Sequence, residues 1–389
     1  MSAALIFMFT YNIEYASRQS MKSELVDRCN SCFDYYLSSS NNFRNLNREK
    51  KDLFNDGIKC EFAKTRWGMY TVLHVKAYFK KDTIQKKAIV GERTEENKLA
   101  LYLCDWGEEL KVSGRTKIVG DMKLPSRLYK TINILGNSKL DKPLIQGNIY
   151  SSEQVLPQIS FLEGKKGSEK HMVFSEIKEQ SIVFNDFKEE TLVVDLEEGD
   201  RINAVNLKGN IILRSKDTLY VERSSNIEDV IIYAAKVVVE DGFQGRVQIF
   251  ADKEVVIGEN VVLVYPSSIV ITSNQYKIDK KIEIAKNAKI YGGVVIEASS
   301  FDEKENNKIS IEEKALIVGD LYCNGVLELK GDVIGTVYTH KLKLETKSGS
   351  YNNVLLNSTI YADSLPKGFI RLPLFRNNEN RTYGIAKEL

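Results

Sequence analysis

Histidine is close to absent from this chain, with three in 389 residues, His74, His171 and His340. A protein so poor in imidazole has few groups that change charge near neutral pH, which narrows the case for acid–base catalysis. Proline is scarce as well, at six, and no low-complexity tract occurs, which argues against long disordered linkers. Neither sign of charge prevails: 55 Lys and Arg stand against 53 Asp and Glu, well mixed along the chain. That balance gives no electrostatic footing for nucleic acid. Five cysteines, Cys29, Cys32, Cys60, Cys104 and Cys323, are too few and too scattered for a disulfide framework, and they leave the redox compartment open. Cys29 and Cys32 spell CxxC, but no second CxxC completes a zinc set; three apart on a helix, they read as two small apolar contacts.

Long hydrophobic runs are missing too. The opening AALIFMFTYNI, residues 3–13, falls well short of the ~20 residues a helix needs to cross a bilayer. No basic segment precedes it and no small-x-small cleavage site follows, which argues against a signal peptide. It reads either as the end of a longer membrane helix or as the buried tip of a soluble one. Neither GxxxxGK[ST], nor GxGxxG after a strand, nor HExxH, nor GxSxG occurs.

What the chain does have is tyrosine, phenylalanine, valine and isoleucine, a composition that leans towards β structure. The front differs. Met21, Leu25, Cys29, Cys32, Tyr36 and Leu37 recur at spacings of three and four, which predicts one long helix to about Leu37. SSSNN then interrupts it, and FRNLNREKKDLF predicts a second short helical piece ending at the turn signal NDG before Ile58. From Ile58 to Gly91 apolar and polar residues alternate, as in an antiparallel meander, with a turn at Trp67-Gly68 and a hairpin tip at Lys80 to Thr83. Leu99 to Cys104 reads as another strand of the same small α+β domain.

The second half follows a different beat. In GDLYCNGVLELKGDVIGTVY glycine returns every six residues, at Gly319, Gly325 and Gly331, with an apolar residue two positions after each, at Leu321, Leu327 and Val333. A period of six walks around a helix, but it fits one short strand plus a corner. Counting by sixes from Leu213 gives Leu213, Leu219, Ser225, Ile231, Val237, Phe243, Ile249, Val255, Val261 and Ser267. A companion row runs Tyr233, Val239, Gly245, Ala251, Ile257, Leu263 and Ile269. The register resumes at Ile282, Ala288 and Val294, and again at Ile309, Ala315, Leu321, Leu327 and Val333. Three six-residue sides make a coil of about 18 residues, and stacked coils make a solenoid. The segment 298–308 is a charged insertion, and 155–190 reads as a loop or short helix on the outside.

The stretch ALIVGDLYCNGVLELKGDVIGTVYTHKLKLE, residues 315–345, resembles the repeat of the bactofilins, bacterial polymer-forming cytoskeletal proteins with a right-handed β-helical core of six-residue sides. The shared figure is Gly-Asp before an apolar pair, as in Val318-Gly319-Asp320-Leu321 and Lys330-Gly331-Asp332-Val333. The resemblance implies a structural, non-enzymatic protein. The front half resembles pilin-like envelope proteins only in the order of its elements, which implies anchoring.

The resulting expectation is a mainly β protein: a right-handed parallel β-helix solenoid preceded by a long N-terminal α-helix and a small antiparallel α+β domain. Its parts are the helix 1–56, the antiparallel domain 57–112, a transitional β segment 113–206, the coil 207–365 and a tail 366–389. In that tail Phe369, Leu372, Leu374 and Phe375 would cover the last coil. The function expected is a scaffold of the bacterial cell envelope, or else of the cytoplasm, with protein partners or self-association, contact with surface polysaccharide, and membrane contact through residues 1–15. No cofactor, metal or nucleic acid is expected. The competing expectation is a carbohydrate-active or acyl-transferring enzyme. It would use His340 as general base, or the carboxylates Asp320, Glu328 and Asp332, although Asp320 and Asp332, twelve apart, fall on different sides of such a rod and read as stabilisers of Gly-Asp corners. Tyr322, Tyr338 and Tyr361 read as an outward stripe suited to gripping sugar or another protein, or as ordinary outward strand residues.

Overall fold

A computed structural model describes residues 2–39, 43, 46, 49–93, 98–134, 142–159, 168–272, 279–298, 306–347, 349–366, 368–375 and 382–389. They fall into two compact units, one built from the chain up to Thr94 together with its C-terminal strand, the other from the chain between them.

In the first unit a single helix, α1, runs from Ser2 to Leu37, as the periodicity predicts. Its latter half buries Leu25, Cys29, Cys32, Phe33 and Tyr36 against an antiparallel sheet. The sheet consists of β1 (Glu49–Lys51), β2 (Lys59–Trp67), β3 (Tyr70–Phe79), β4 (Asp82–Arg93) and the C-terminal strand Thr382–Glu388, in that spatial order. Period-two alternation decides which face meets the helix: Cys60 and Phe62 are fully buried while Lys59 is exposed. Removing a side chain such as Phe62 from water contributes about 1.5–3 kcal/mol. The hairpin tips lie where the sequence places them, at Gly68 (φ 61°) and Lys80 (φ 50°). Of the expected second helical piece, Phe43 is helical, its N–H donating to the Ser39 carbonyl at 3.0 Å, whereas Glu49–Lys51 is extended and pairs with Cys60 to Phe62 of β2. Residues 44, 45, 47 and 48 of that piece lie outside the described residues.

In the second unit most strands pair in parallel within one 21-stranded sheet, which Gly349–Asn352 joins antiparallel, while Leu110–Ser113, Tyr129–Thr131 and Val354–Leu356 form a small sheet of their own. Val237 lies beside Val255, Gln244 beside Val262, and Leu327 beside Ile309. Ladders of Leu219, Val237, Val255, Ile282, Ile309 and Leu327 fill the interior.

The right-handed solenoid expected from the sequence is nevertheless not the architecture. Its sides would be short strands broken at every corner, each coil meeting only its neighbours. Here Asn226–Val239, Gln244–Ile257, Leu316–Leu329 and Asp332–Thr346 run on through the corners as single strands of 14 or 15 residues. Consequently Gln244–Ile257, Val262–Ile271, Lys289–Ile296, Leu316–Leu329, Lys308–Ile311 and Lys281–Ile284 pair in a closed ring, a barrel of six parallel strands. The physical reason is that bulges turn the corners without ending the strand: the ladder slips between Cys323 and Val326, and between Glu228 and Val230. Such a slip also moves side chains to the opposite face. After Asp229 (φ 60°), Val230, Ile232 and Ala234 join the core, and Tyr233, expected inside, is 38 % exposed.

The strand Leu99–Leu103, expected in the antiparallel domain, belongs to the parallel sheet and lies beside residues 337–339. Lys117–Val119 lies beside Thr359–Tyr361, and Leu110–Ser113 beside Val354–Leu356. The early strands of the unit thus pair with its last ones. At the other side of the core, a short helix, α2 (Phe174–Gln180), buries Phe174 and Ile177.

Candidate functional site

Two places could carry function: the groups gathered along the parallel sheet, and the bare half of α1.

On the parallel sheet, the expected carboxylate face is not open. Gly319 takes φ 134° at a corner, where a Cβ would overlap the carbonyl oxygen of Gly292, and this brings Asp320 into line with Gly293 and Thr336. Residues 368–375 cross these strands as a strap. Arg371 Nη1 lies 3.1 Å from Asp320 Oδ1 and donates to Thr336 Oγ1 at 3.1 Å, all three groups being buried. Leu372 packs over Gly293, and Phe369 meets the Tyr265 ring at 4.8 Å. Phe369, Leu372, Leu374 and Phe375 therefore cover the side of the sheet rather than its last coil.

Tyr322 and Tyr338 are not an exposed stripe either. They form a buried ladder with Tyr102, with centroids 6.0 and 6.2 Å apart, under Phe375. The Tyr322 hydroxyl donates to the Pro157 carbonyl at 3.0 Å, and burial pushes its pKa up. Only Tyr361 of the three is partly open.

Glu328 is buried between two ammonium groups, 2.9 Å from Lys308 Nζ and 2.9 Å from Lys330 Nζ. Burial alone would raise its pKa, but hydrogen bonds from the two lysines outweigh it and hold the carboxyl below its ordinary value. A carboxylate tied in this way is a poor proton carrier at neutral pH. Asp332 is half-buried beside Leu316, four positions out of register with Asp320. Elsewhere on the sheet, the buried Lys280 ammonium donates to the Glu297 carbonyl at 2.8 Å.

His340 is 1 % exposed, its ring 4.8 Å from that of Trp106. A cavity of 330 Å³ opens nearby, lined by Trp106, Glu108, Lys341, Asn352 and Asn353. Asn353 is committed to the backbone, accepting from Leu342 N at 3.2 Å and donating to the Glu108 carbonyl at 3.1 Å. The Lys341 ammonium stands 5.8 Å from the Trp106 ring centre. The cavity thus has a folded-in indole and a committed amide in place of two convergent carboxylates, and His340 does not line it. His74 sits half-buried in β3, its pKa lowered first by desolvation and then by Lys87. His171 is exposed, 3.2 Å from Asp195 and 3.7 Å from Glu169. The three histidines share no site. Among the described residues no group of three or more His, Cys, Asp or Glu is arranged to hold a metal ion.

The second place is α1. Residues 3–20 are exposed without interruption, and burial begins only at Met21. Leu5, Ile6, Phe7, Met8 and Phe9 are 56–74 % exposed. At 100° per residue, five consecutive side chains encircle the helix, so the apolar surface is a sleeve rather than a stripe. Along the axis the sleeve gives way to Tyr11 and Tyr15, with rings 6.5 Å apart, and then to the Glu14–Arg18 pair at 2.7 Å and Lys22. Sequence reasoning locates this segment but leaves open whether it is buried.

Comparison of the chain with family models, with curated proteins and with solved structures finds no match.

Proposed function

We propose that this protein is a non-enzymatic structural or assembly protein of the cell envelope that docks on a lipid bilayer through the bare half of α1. The observation that carries the reading is the sleeve of five consecutive exposed apolar residues, 5–9. A groove on a partner protein covers one stripe of a helix, whereas a surrounding apolar medium covers every side. The order along the axis supports the same reading. An apolar tip, then tyrosines, then charges follows the depth profile of one leaflet, in which Tyr favours the interface and long basic side chains reach for water. No helix among the described residues is long and apolar enough to cross a membrane. Residues 3–13 extend about 16 Å at 1.5 Å per residue, roughly half of a ~30 Å hydrocarbon core.

The structural part of the reading rests on the parallel unit. Asp320 and Glu328, which a hydrolase would need free, are tied to cations, and the likeness of residues 315–345 to a polymer-forming repeat points the same way.

The test is flotation of the full chain with phosphatidylcholine–phosphatidylglycerol vesicles in a density gradient. The wild type is expected to rise with the lipid, and F7N/F9N to stay below. A wild type that stays below with its variant would overturn the reading.

A further inference from the structure

The described cysteines are not evenly scattered in space. Cys29 and Cys32 face the sheet from α1, Cys60 faces them from β2, and all three are fully buried. Cys29 is turned towards the Ile84 carbonyl at 3.7 Å. Cys32 points at Cys60 instead, with Sγ atoms 2.9 Å apart across 28 positions of sequence. That is inside the ~3.5–4.0 Å at which non-bonded carbons rest, although sulfur is the larger atom.

We infer that Cys32 and Cys60 are a disulfide-forming pair, a redox modification site that bonds the packed half of α1 to the sheet. The oxidant is a low-molecular-weight disulfide of the glutathione class. The Cys60 thiolate attacks one sulfur of that disulfide, giving a mixed disulfide at Cys60 and releasing one small thiolate. Deprotonated Cys32 then attacks Cys60 Sγ, forming the internal bond and expelling the second small thiolate. The two protons given up by the cysteines end on the two small thiols, and the protein loses two electrons that the small disulfide gains. The Cys32 thiol donates towards Cys60, which raises the pKa of Cys32 and lowers that of Cys60. A pair with no exposure cannot meet the oxidant in the finished core, so the exchange belongs to folding, as α1 docks. The inference is independent of what the bare half of α1 binds.

The experiment is refolding of the full-length wild type in a buffer of reduced and oxidised glutathione, followed by alkylation without reduction, proteolysis and mass spectrometry. The expected product joins the Cys32 and Cys60 peptides, lighter by two hydrogens, with Cys29, Cys104 and Cys323 alkylated. Wild type refolded in reductant should have a thermal midpoint about 10 °C below that of the oxidised protein, and the C32A/C60A protein should show no such difference. Alkylation of all five cysteines, or a bond made through Cys29, overturns the inference. So does a wild-type midpoint that is the same after refolding with and without reductant.

Discussion

The two units hold themselves together by opposite means. In the antiparallel unit, cohesion comes from bulk: Phe62 fills the gap under α1 and meets the Tyr36 ring at 4.5 Å. In the parallel unit, much of it comes from the lack of bulk. Gly292, Gly319 and Gly335 pair in register on adjacent strands at positive φ, so that one strand's backbone can lie close against the next. One unit should therefore suffer most from shrinking a side chain, and the other from adding a single carbon.

The largest effect should follow Gly319→Ala. The new Cβ would overlap the backbone of Gly292 at a φ of 134° that alanine avoids, so a loss above ~4 kcal/mol is expected. Circular dichroism with urea titration should show the parallel unit unfolded or nearly so. The same exchange at Gly242, where φ is 75° and no atom lies within 4 Å of the added carbon, should cost only about 1 kcal/mol. Equal losses at the two sites would break the comparison.

Phe62→Ala in the other unit should cost about 3–5 kcal/mol by opening a cavity, measured as a fall in urea midpoint at constant slope. Arg371→Met leaves Asp320 buried without its cation and should cost about 3 kcal/mol, while D320L/R371M should recover most of that loss. If the double variant is as weak as the single one, the strap is held by something other than the pair.

A smaller effect concerns pH. Because the folded carboxyl of Glu328 titrates below its ordinary value of 4.5, the stability it contributes is present above that value. It is lost as pH falls through the lower, folded pKa. Glu328→Gln should flatten the stability profile below about pH 4.5 and leave its shape near neutrality unchanged, as followed by urea midpoints across that range. The smallest effect of all should come from Phe7→Ala, at 74 % exposure, which should shift stability by less than about 0.5 kcal/mol.

How far each unit was legible follows from the range of its interactions. The end of α1 at Leu37 and the tips at Gly68 and Lys80 depend on neighbours in sequence, and periodicity shows them. The inward ladder of Val237, Val255 and Ile309 was legible for the same reason, since stacking copies a local pattern. The strand Leu99–Leu103 was misplaced because its partner lies at residues 337–339, and nothing local marks that pairing. Tyr322 and Tyr338 alternate outward as expected, and they are buried only because residues 368–375 return over them. The slip at Asp229 moved Tyr233 to the surface, an event that a count by sixes cannot register. At the candidate site, the apolar character of residues 3–13 could be read directly, but their exposure on every side could not. That exposure follows from where the sheet stops.

Hydrogen exchange along α1, recorded on the full chain with and without lipid vesicles, decides whether the bare half meets a bilayer. Amides of residues 3–13 should exchange freely in buffer and become protected when vesicles are added, while those of the packed half stay protected throughout. Exchange in 3–13 that is unchanged by lipid would contradict the proposed docking.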